Sequence, residues 1–276
     1  MEQVLKTMLE NVRAKSPLVH NITNYVTVND VANVLLAAGG SPIMSDDADD
    51  VEDITSICGG LNINIGTLNK NTIPSMFLAG KKANALGHIV LLDPVGAGAS
   101  RLRTDTANRL MREVRFDAVR GNISEIKTLC TGSGTTKGVD ADAVDAVTEA
   151  NLDNGVQLVK TFAAQTGCII AVTGAIDLVS DGARCWCIRN GRAEMSRITG
   201  TGCQLSALMT AFLVANPDRK LDAAAAAVCM MGLAGEIGWA NMQPGDGNST
   251  YRNRIIDAIF NMTGDALEEG AKYELR

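Results

Sequence analysis

The chain has 276 residues, which is enough for one α/β domain with a sizeable core and far more than a disulfide-stapled miniprotein needs. Hydrophobic residues make up 46% of the chain and charged residues 20%, so the composition excludes a disordered protein. The formal net charge of −6 argues against DNA or another polyanion as the main partner.

The N-terminal segment has the apolar spacing of an amphipathic helix, from Val4 to Val12, and no signal-peptide core. The longest apolar run, residues 223–235, is shorter than the roughly 20 residues that a membrane-spanning helix needs. The seven cysteines are odd in number and mostly fall in apolar runs, which indicates reduced thiols. We therefore expect a soluble cytoplasmic protein that does not cross a membrane.

Short apolar runs alternate with helical segments over the first two-thirds of the chain, as in a parallel sheet that is buried on both faces. The predicted strands are Pro42–Met44, Leu61–Ile65, His88–Leu92, Ala118–Arg120 and Cys168–Val172. The predicted helices cover residues 28–38, 49–57, 71–86, 101–113, 122–130 and 151–166.

A hairpin and then a helical region follow the last of these strands. Residues 177–180 and 183–188 flank the turn dipeptide Asp181-Gly182, which is typical of an antiparallel hairpin. Helical patterns begin near Gly202, at Ala223 and before Ile255. The sequence therefore predicts a single α/β domain over residues 1–276, with a mainly parallel sheet, helices on both faces and an antiparallel edge.

Glycine-rich segments stand where ligands bind in open α/β sheets, beyond the carboxyl ends of the strands. They are Asn64-Ile-Gly-Thr67, Asp93-Pro-Val-Gly-Ala-Gly98, Thr173-Gly174 and Gly200-Thr-Gly-Cys203. The segment that begins at Asp93 matches half of a dinucleotide fingerprint, but Arg101 stands where the third glycine belongs, and an ordinary tight turn is the alternative. Gly132-Ser-Gly-Thr-Thr-Lys137 lacks the ending of a P-loop. An NAD-binding site and a P-loop are therefore both disfavoured.

The segment from Gly200 through Thr201 and Gly202 to Cys203 leads directly into a predicted helix. Free amide groups at a helix start favour an anion, so this segment is a candidate cradle for phosphate or for the charge that develops in phosphoryl transfer. A glycine-softened helix entry is the alternative. Cys203 lies in the first helical turn, where the helix dipole lowers the pKa of a thiol; a buried inert cysteine is the alternative.

Two further polar groups have both a structural and a functional interpretation. Asn122 and Glu125 have the spacing of a helix capping box, but their oxygens could also hold magnesium through water, with Arg120 as a fixed positive charge beside them. Thr23 and Asn24 gather polar groups before the helix that begins near residue 28, and could simply cap it.

Taken together, seven motifs in one order resemble the hydroxyethylthiazole kinase family of the ribokinase-like superfamily. The resemblance covers residues 16–203, and no single motif decides it. The motifs are His20-Asn-Ile-Thr-Asn24, Ser41-Pro-Ile-Met44, Asn64-Ile-Gly-Thr67, Asp93-Pro-Val-Gly-Ala-Gly-Ala99, Arg120-Gly-Asn-Ile-Ser-Glu125, Ala171-Val-Thr-Gly174 and Gly200-Thr-Gly-Cys203.

This resemblance implies ATP- and magnesium-dependent phosphorylation of the primary alcohol of 4-methyl-5-(2-hydroxyethyl)thiazole, a salvage step of thiamine biosynthesis. It implies a homotrimer in which the motifs near Met44 and Gly66 meet those near Gly200 of a neighbouring subunit. Residues carried over to the thiazole site are Met44, Asn24, Gly66 and Gly200. Residues carried over to ATP are Arg120, Thr173 and Asp93, and those carried over to magnesium are Asn122 and Glu125. The catalytic segment is Gly200, Thr201, Gly202 and Cys203.

One departure concerns the base, because Cys203 stands where most of the superfamily has an aspartate, a replacement also found within this family. An unperturbed thiol, with a pKa of about 8.5, is only a few per cent ionised at neutral pH. Phosphoryl transfer needs mostly positioning and charge neutralisation, so a weak base is compatible with activity. Two alternatives stay open: a related kinase for hydroxymethylpyrimidine or a sugar, and a non-catalytic nucleotide sensor.

Overall fold

Nine strands form one sheet in the part of the chain that the computed structural model describes, residues 3–132 and 146–276. The strands are β1 Leu18–Ile22, β2 Ser41–Met44, β3 Gly60–Asn64, β4 Ile89–Asp93, β5 Ala118–Asn122, β6 Ile169–Thr173, β7 Asp177–Ser180, β8 Cys185–Ile188 and β9 Tyr273–Leu275. Their order is β2-β1-β3-β4-β5-β6-β7-β8-β9. The first six strands run parallel, and β7, β8 and β9 add an antiparallel edge. The predicted fold class is confirmed.

The helices cover both faces of this sheet. They are α1 Val4–Lys15, α2 Val28–Ala38, α3 Val51–Ile57, α4 Thr72–Leu86, α5 Arg101–Glu113, α6 Ile123–Thr131, α7 Leu152–Thr166, α8 Thr201–Ala215, α9 Lys220–Ala240, α10 Asn248–Asn261 and α11 Gly264–Gly270. Short 3₁₀ helices lie at Glu149–Asn151, Ala193–Arg197 and Pro217–Arg219. Residues of α1, α2 and α8–α11 form the apolar core on one face, and residues of α3–α7 contribute to the core on the other.

The central strand β4 is apolar from Ile89 to Leu92 because both of its faces are buried. In β4, Leu91 belongs to the core under α8 and α9, whereas Val90 and Leu92 belong to the opposite core. Side chains alternate between the faces of a strand, so a strand buried on both faces needs no polar residues. This pattern made β2 to β8 predictable to within about two residues.

Three elements were missed from the sequence: β1, β9 and α11. The strand β1 contains His20 and Asn21, two polar residues that obscure its strand pattern. His20 is buried because its ring nitrogens lie 2.9 Å from Thr55 Oγ1 and from the carbonyl of Ser45. The other two elements are short, with seven residues in α11 and three in β9, so they have little apolar periodicity.

The sheet runs from residue 18 to residue 275, and the prediction of a single domain over residues 1–276 stays a prediction for the whole chain. Residues 133–137, which belong to the segment compared with a P-loop, lie outside the described residues. One helical stretch, Pro217–Ala240, is long and apolar enough to cross a membrane, because the helix extends beyond the apolar run. The length argument made from the sequence was therefore wrong. However, 78% of the most apolar 18 residues of this stretch is buried inside the fold, as in the core helix of a soluble protein.

Candidate active site

The carboxyl ends of the parallel strands bring several polar side chains to one edge of the sheet. Asn64 ends β3 and pairs in register with Asp93 at the end of β4, while Asn122 at the end of β5 pairs with Thr173 at the end of β6. Parallel pairing aligns these ends at one edge, where ligands bind in open α/β folds.

Asp93 is the buried centre of a hydrogen-bond network at this edge. Its side chain has no exposed surface, and its Oδ2 accepts hydrogen bonds from Asn64 Nδ2 and Ser206 Oγ, both at 2.8 Å. Its Oδ1 faces Arg120 Nη1 at 3.5 Å. Burial raises the pKa of Asp93, and the charge of Arg120 and these hydrogen bonds oppose that shift.

Arg120 joins Asp93 to the next strand end and to the start of α8. Its Nη2 donates a hydrogen bond to Thr173 Oγ1 at 2.6 Å. A methyl group added at Gly202 would lie 2.4 Å from the same Nη2, which is closer than real side chains allow. Arg120 is therefore held on three sides, and Gly202 is glycine because the guanidinium occupies the space of a side chain.

The start of α8 presents backbone amides to this edge. Gly200 precedes the helix with φ +86°, a left-handed conformation that favours glycine, and a methyl group there would lie 2.1 Å from Thr27 Cγ2. The first amide of this helix with a helical partner is Gln204 N, which donates to the carbonyl of Gly200 at 2.9 Å. The amides of Thr201, Gly202 and Cys203 precede it, in the part of a helix that binds anions.

Cys203 lies in the first turn of α8 and is nearly buried, at 8% exposure. Asn24 Nδ2 donates a hydrogen bond to its sulfur at 3.0 Å. Burial and then the nearby charge of Asp93 raise the pKa of this thiol, and Arg120 and the amides of Asn64 and Asn24 oppose the shift. The prediction that the helix dipole would lower this pKa is therefore wrong, because burial and a buried carboxylate outweigh it.

Met44 borders a small apolar cluster on the other side of Cys203. The half-buried Met44 side chain packs against a cluster that contains Cys203 itself. The other buried members of this cluster are Val19, Val31, Leu35, Ala207 and Ala211. The sulfur of Cys203 thus faces an apolar environment on one side and the polar network on the other.

Asn122 and Glu125 form the capping box that their spacing suggested. Asn122 Oδ1 accepts a hydrogen bond from the Glu125 amide, and Glu125 Oε2 accepts one from the Asn122 amide, both at 2.8 Å. Glu125 Oε1 also accepts a hydrogen bond from Gly96 N at 2.7 Å. Burial and then the charge of Asp93 raise the pKa of Glu125 to about 7.

The side-chain oxygens of Asn122 and Glu125 fit a cation that is held through water and through the oxygens of a bound ligand. Glu125 and Asp93 are two buried carboxylates, and Arg120 is a positively charged side chain that acts on Glu125. A bound cation would add positive charge and so favour the ionised form of Glu125. Among the described residues, no group of three or more His, Cys, Asp or Glu side chains is placed to enclose a metal. Magnesium commonly keeps several waters and takes the rest of its ligands from one or two carboxylates and from phosphates.

A cavity of about 570 Å³ opens beside Arg120 and the start of α8. Arg120, Thr173 and Gly202 line its polar end, and Leu205, Val228 and Met231 line an apolar part. Asp177 also lines it and accepts a hydrogen bond from Gly174 N at 2.8 Å. Burial raises the pKa of Asp177 to about 7. An apolar chamber next to a cationic end suits a flat heterocycle that carries an anionic tail.

Comparison with known proteins agrees with this geometry. The family model described as the hydroxyethylthiazole kinase family matches residues 9–265. The chain belongs to the hydroxyethylthiazole kinase family. A relative named hydroxyethylthiazole kinase from Clostridium acetobutylicum is 58% identical over 98% of this chain and 99% of its own length. One of the same name from Clostridium beijerinckii is 48% identical over 97% and 96%.

Solved structures include a member of the same family. The hydroxyethylthiazole kinase protein from Pyrococcus horikoshii OT3 aligns with a TM-score of 0.87 at 32% identity, covering 99% of this chain and 98% of that one. The pyridoxal kinase from Staphylococcus aureus in complex with AMP-PCP and pyridoxal aligns with a TM-score of 0.60 at 14% identity, covering 94% and 98%. The likeness to the pyridoxal kinase shows the ribokinase-like fold alone.

In this member of the hydroxyethylthiazole kinase family, the residues predicted for the site fall into two adjoining groups. Arg120, Thr173 and the segment from Gly200 to Cys203 lie at the cavity or at its edge, and Asn24 and Met44 lie on the other side of Cys203. Asp93 lies beneath both groups with no exposed surface. A methyl group on Gly66 would lie 3.1 Å from the Asn24 side chain, so Gly66 lies beside Asn24.

The segments near Met44 and Gly200 also come together within one chain, and the homotrimer with sites between its subunits stays a prediction. Asn24 contacts Cys203 within one chain, and Met44 packs against the cluster that contains Cys203. The segments near Met44 and Gly200 therefore already share one site in a single chain of this family.

Sequence reasoning missed three contributors to the site: the Asn64 side chain, Ser206 and Asp177. Asn64 was noted only for the glycine that follows it, and Asp177 only as the start of a hairpin. Ser206 stands three residues after Cys203 and so one helical turn further along α8, a spacing that could have revealed it.

Proposed function

We propose that this chain transfers the γ-phosphoryl group of ATP to the primary alcohol of 4-methyl-5-(2-hydroxyethyl)thiazole, in thiamine salvage. Membership of the hydroxyethylthiazole kinase family supports the reaction. The observation that carries the proposal is the position of Cys203, between an apolar cluster that includes Met44 and a cationic cavity that includes Arg120. A thiazole alcohol on one side and a nucleotide on the other would bring the two reacting groups together at this sulfur.

The cavity beside α8 is the proposed ATP site. Arg120, which Asp93 and Thr173 hold in place, would contact the phosphates, and the apolar part of the cavity would take the base. Asp93 would act on the nucleotide through Arg120, since its own carboxylate is not exposed. The amides of Thr201, Gly202 and Cys203 would stabilise the transferred group, as donors at a helix start do.

Asn122 and Glu125 are the proposed magnesium site, with contacts through water. Bound there, the ion would neutralise charge on the phosphate oxygens as the transition state forms. Glu125 would contribute a carboxylate to this magnesium site, and Asn122 would contribute the hard oxygen of its side-chain amide. The capping box holds both side chains at the end of β5, next to Arg120.

The alcohol would attack the γ-phosphorus in line with the leaving ADP oxygen. Cys203 would orient this alcohol and accept its proton, and Gly200 and Thr27 would shape the start of the helix around it. The raised thiol pKa leaves little of Cys203 as the thiolate at neutral pH, so little of the base is available. A loose transition state places small demands on the base, so positioning is expected to dominate the rate.

The partly buried Met44 side chain favours a thiazole over the sugar alternative. It packs against an apolar cluster and offers no strong hydrogen-bonding group, whereas a sugar site needs carboxylates and amides to hold its hydroxyls. The sensor alternative is disfavoured because the chain keeps Arg120 and the helix start from Gly200 to Cys203. Its departure from the superfamily, Cys203 in place of an aspartate, also occurs within the family.

We further propose a cytoplasmic homotrimer. Large apolar side chains next to Asn24 are exposed, with Tyr25 at 59% and Val26 at 65% exposure. Such side chains are typical of a surface that another subunit covers. Sedimentation should give a mass near 87 kDa, about three times the 29.1 kDa of one chain, and a mass near 29 kDa would contradict the trimer.

Steady-state kinetics of Cys203 variants test the proposed chemistry. Cys203→Asp should maintain or raise kcat for the thiazole alcohol, because a carboxylate is ionised at neutral pH. Cys203→Ala should lower kcat. An unchanged kcat in Cys203→Ala would remove the base role and leave Cys203 as a packing residue.

A further inference from the structure

A continuous line of hydrogen bonds connects the two halves of the site beneath its surface. Asp93 Oδ2 accepts from Asn64 Nδ2 at 2.8 Å, and Asn64 Oδ1 accepts from Asn24 Nδ2 at 3.2 Å. Asn24 Nδ2 also donates to Cys203 Sγ at 3.0 Å. The line begins at a fully buried carboxylate that faces Arg120 and ends at the sulfur.

The carboxylate fixes the orientation of both amide side chains. An ionised carboxylate only accepts hydrogen bonds, so Asn64 must turn its Nδ2 toward Asp93 and its Oδ1 toward Asn24. Asn24 must then turn its Nδ2 toward Asn64. The contacts of Asn24 Oδ1 are consistent with this orientation, because it accepts hydrogen bonds from the amide and the hydroxyl of Thr27 at 3.1 and 3.0 Å.

This orientation determines what Cys203 can do with its proton. Asn24 turns its amide NH2 group, which only donates, toward the sulfur. The thiol of Cys203 therefore cannot donate its proton to Asn24. A hydrogen bond donated to sulfur stabilises the thiolate relative to the thiol. The other charged groups that act on this sulfur are Asp93 from β4, which disfavours the thiolate, and Arg120 from β5, which favours it.

We propose that Asn64 and Asn24 are positioning residues that hold Cys203 as a hydrogen-bond acceptor directed toward the substrate alcohol. The inference rests on the proposed function and assigns these residues a part in its proton transfer. In that step the thiolate takes the alcohol proton, the alcohol oxygen bonds to the γ-phosphorus, and the bond from phosphorus to the ADP oxygen breaks. The resulting thiol then releases its proton to water.

This role differs from the direct substrate contact expected of Asn24 from the sequence. The Asn24 side chain is 5% exposed, and the described atoms account for both its acceptor and its donor group. Asn24 acts on the alcohol through Cys203, and Asn64 acts on Cys203 both through Asn24 and through its own side chain.

The variant Asn24→Ala tests this line of hydrogen bonds, because it removes the donor to Cys203 and adds no charge. Asn24→Ala should lower kcat at pH 7 about tenfold and move the acidic limb of the kcat–pH profile upward by about one pH unit. The KM for the thiazole alcohol should stay within about threefold. A purely structural role would lower kcat at every pH and leave the limb in place.

Rescue by a carboxylate gives an independent readout. An aspartate at position 203 is ionised without help from an amide donor, so Asn24→Ala in the Cys203→Asp background should cost less than about threefold in kcat. Equal losses in the two backgrounds would overturn the positioning role.

A matched control is Asn69→Ala, at the same mouth of the site. Asn69 Oδ1 accepts from the amides of Asn71 and Thr72 and Nδ2 donates to Tyr25, with no contact to the line. The control should lose some stability and keep the pH limb. If the wild type fails to phosphorylate the thiazole alcohol, the proposed function is overturned and the inference with it. An active wild type with an unmoved limb in Asn24→Ala overturns the inference alone.

Discussion

The guanidinium of Arg120 occupies the space that a side chain at Gly202 would fill. A methyl group there would lie 2.4 Å from Nη2 and 2.5 Å from Nη1. Gly202 at the start of α8 and Arg120 in β5 are therefore fitted to each other, and the shape of the proposed nucleotide cavity depends on both.

Gly202→Ala should displace Arg120 from Thr173. We expect kcat/KM for ATP to fall by at least about tenfold, a loss of about 1.4 kcal/mol or more of transition-state binding, with the fold intact. Gly247→Ser is the control, because a side chain at Gly247 meets open space and serine is a good residue at the start of α10. Equal kinetics in Gly202→Ala and wild type would contradict the packing argument.

Thr173→Val removes the hydroxyl that accepts from Arg120 Nη2 at 2.6 Å and keeps the shape of the side chain. Hydrogen bonds to charged groups contribute about 1.5–3 kcal/mol, so kcat/KM for ATP should fall about 10- to 100-fold. Thr173→Ser retains the hydroxyl and should stay within about threefold. If the two variants behave alike in an ATP titration, the hydroxyl does not orient Arg120.

Glu125→Gln separates the capping role from the charge. Glutamine can still close the capping box, but its one oxygen cannot accept from both Asn122 N and Gly96 N, so the free energy of unfolding in urea should fall by about 1–3 kcal/mol. Loss of the carboxylate should lower kcat by about 100-fold or more and raise the magnesium concentration needed for half-maximal rate. Full activity at the wild-type magnesium requirement would exclude Glu125 from the metal site.

The fold could be predicted because its strands are buried on both faces. Residues such as Val90, Leu91 and Leu92 form an apolar run whichever core each of them enters, and the glycine segments mark where these strands end. The edge of the sheet where the glycine segments lie followed from topology, whereas the roles of residues at it were expected from the family resemblance.

Burial depth and hydrogen-bond direction could not be predicted in the same way. The pKa of Cys203 is raised because Asp93 and the packed start of α8 surround it, and neither fact is visible in local sequence. The role of Asn64 depends on contacts with Asp93 and Asn24, which are 29 and 40 residues away along the chain. Such contacts exist only once the sheet has assembled.

Asp177 should make the ligand-free protein less stable as pH rises. Its pKa is raised from 3.8 to about 7 by burial, so the folded state binds its proton more tightly than the unfolded state does. The associated stability is present below about pH 4 and is lost as pH rises through 7. Between pH 5 and pH 8 the free energy of unfolding should fall by at most about 2–3 kcal/mol from this group, since Asp177 lines the cavity and is partly exposed.

Urea unfolding of wild type and Asp177→Asn at both pH values isolates this effect. Asparagine can still accept the hydrogen bond from Gly174 N and carries no charge. The variant should therefore lack this part of the pH dependence. An identical decline in the two proteins would show that Asp177 ionises as it does in the unfolded chain.

The most direct measurement is phosphorylation of a panel of alcohols by the purified chain with ATP and magnesium. The panel contains the thiazole alcohol, hydroxymethylpyrimidine and ribose, and Gly202→Ala provides the low-activity reference. Mass spectrometry should detect the thiazole monophosphate with stoichiometric ADP, and little or no phosphorylated pyrimidine or ribose. Phosphorylation of only the pyrimidine or ribose, or tight ATP binding without transfer to any of the three, would contradict the assignment.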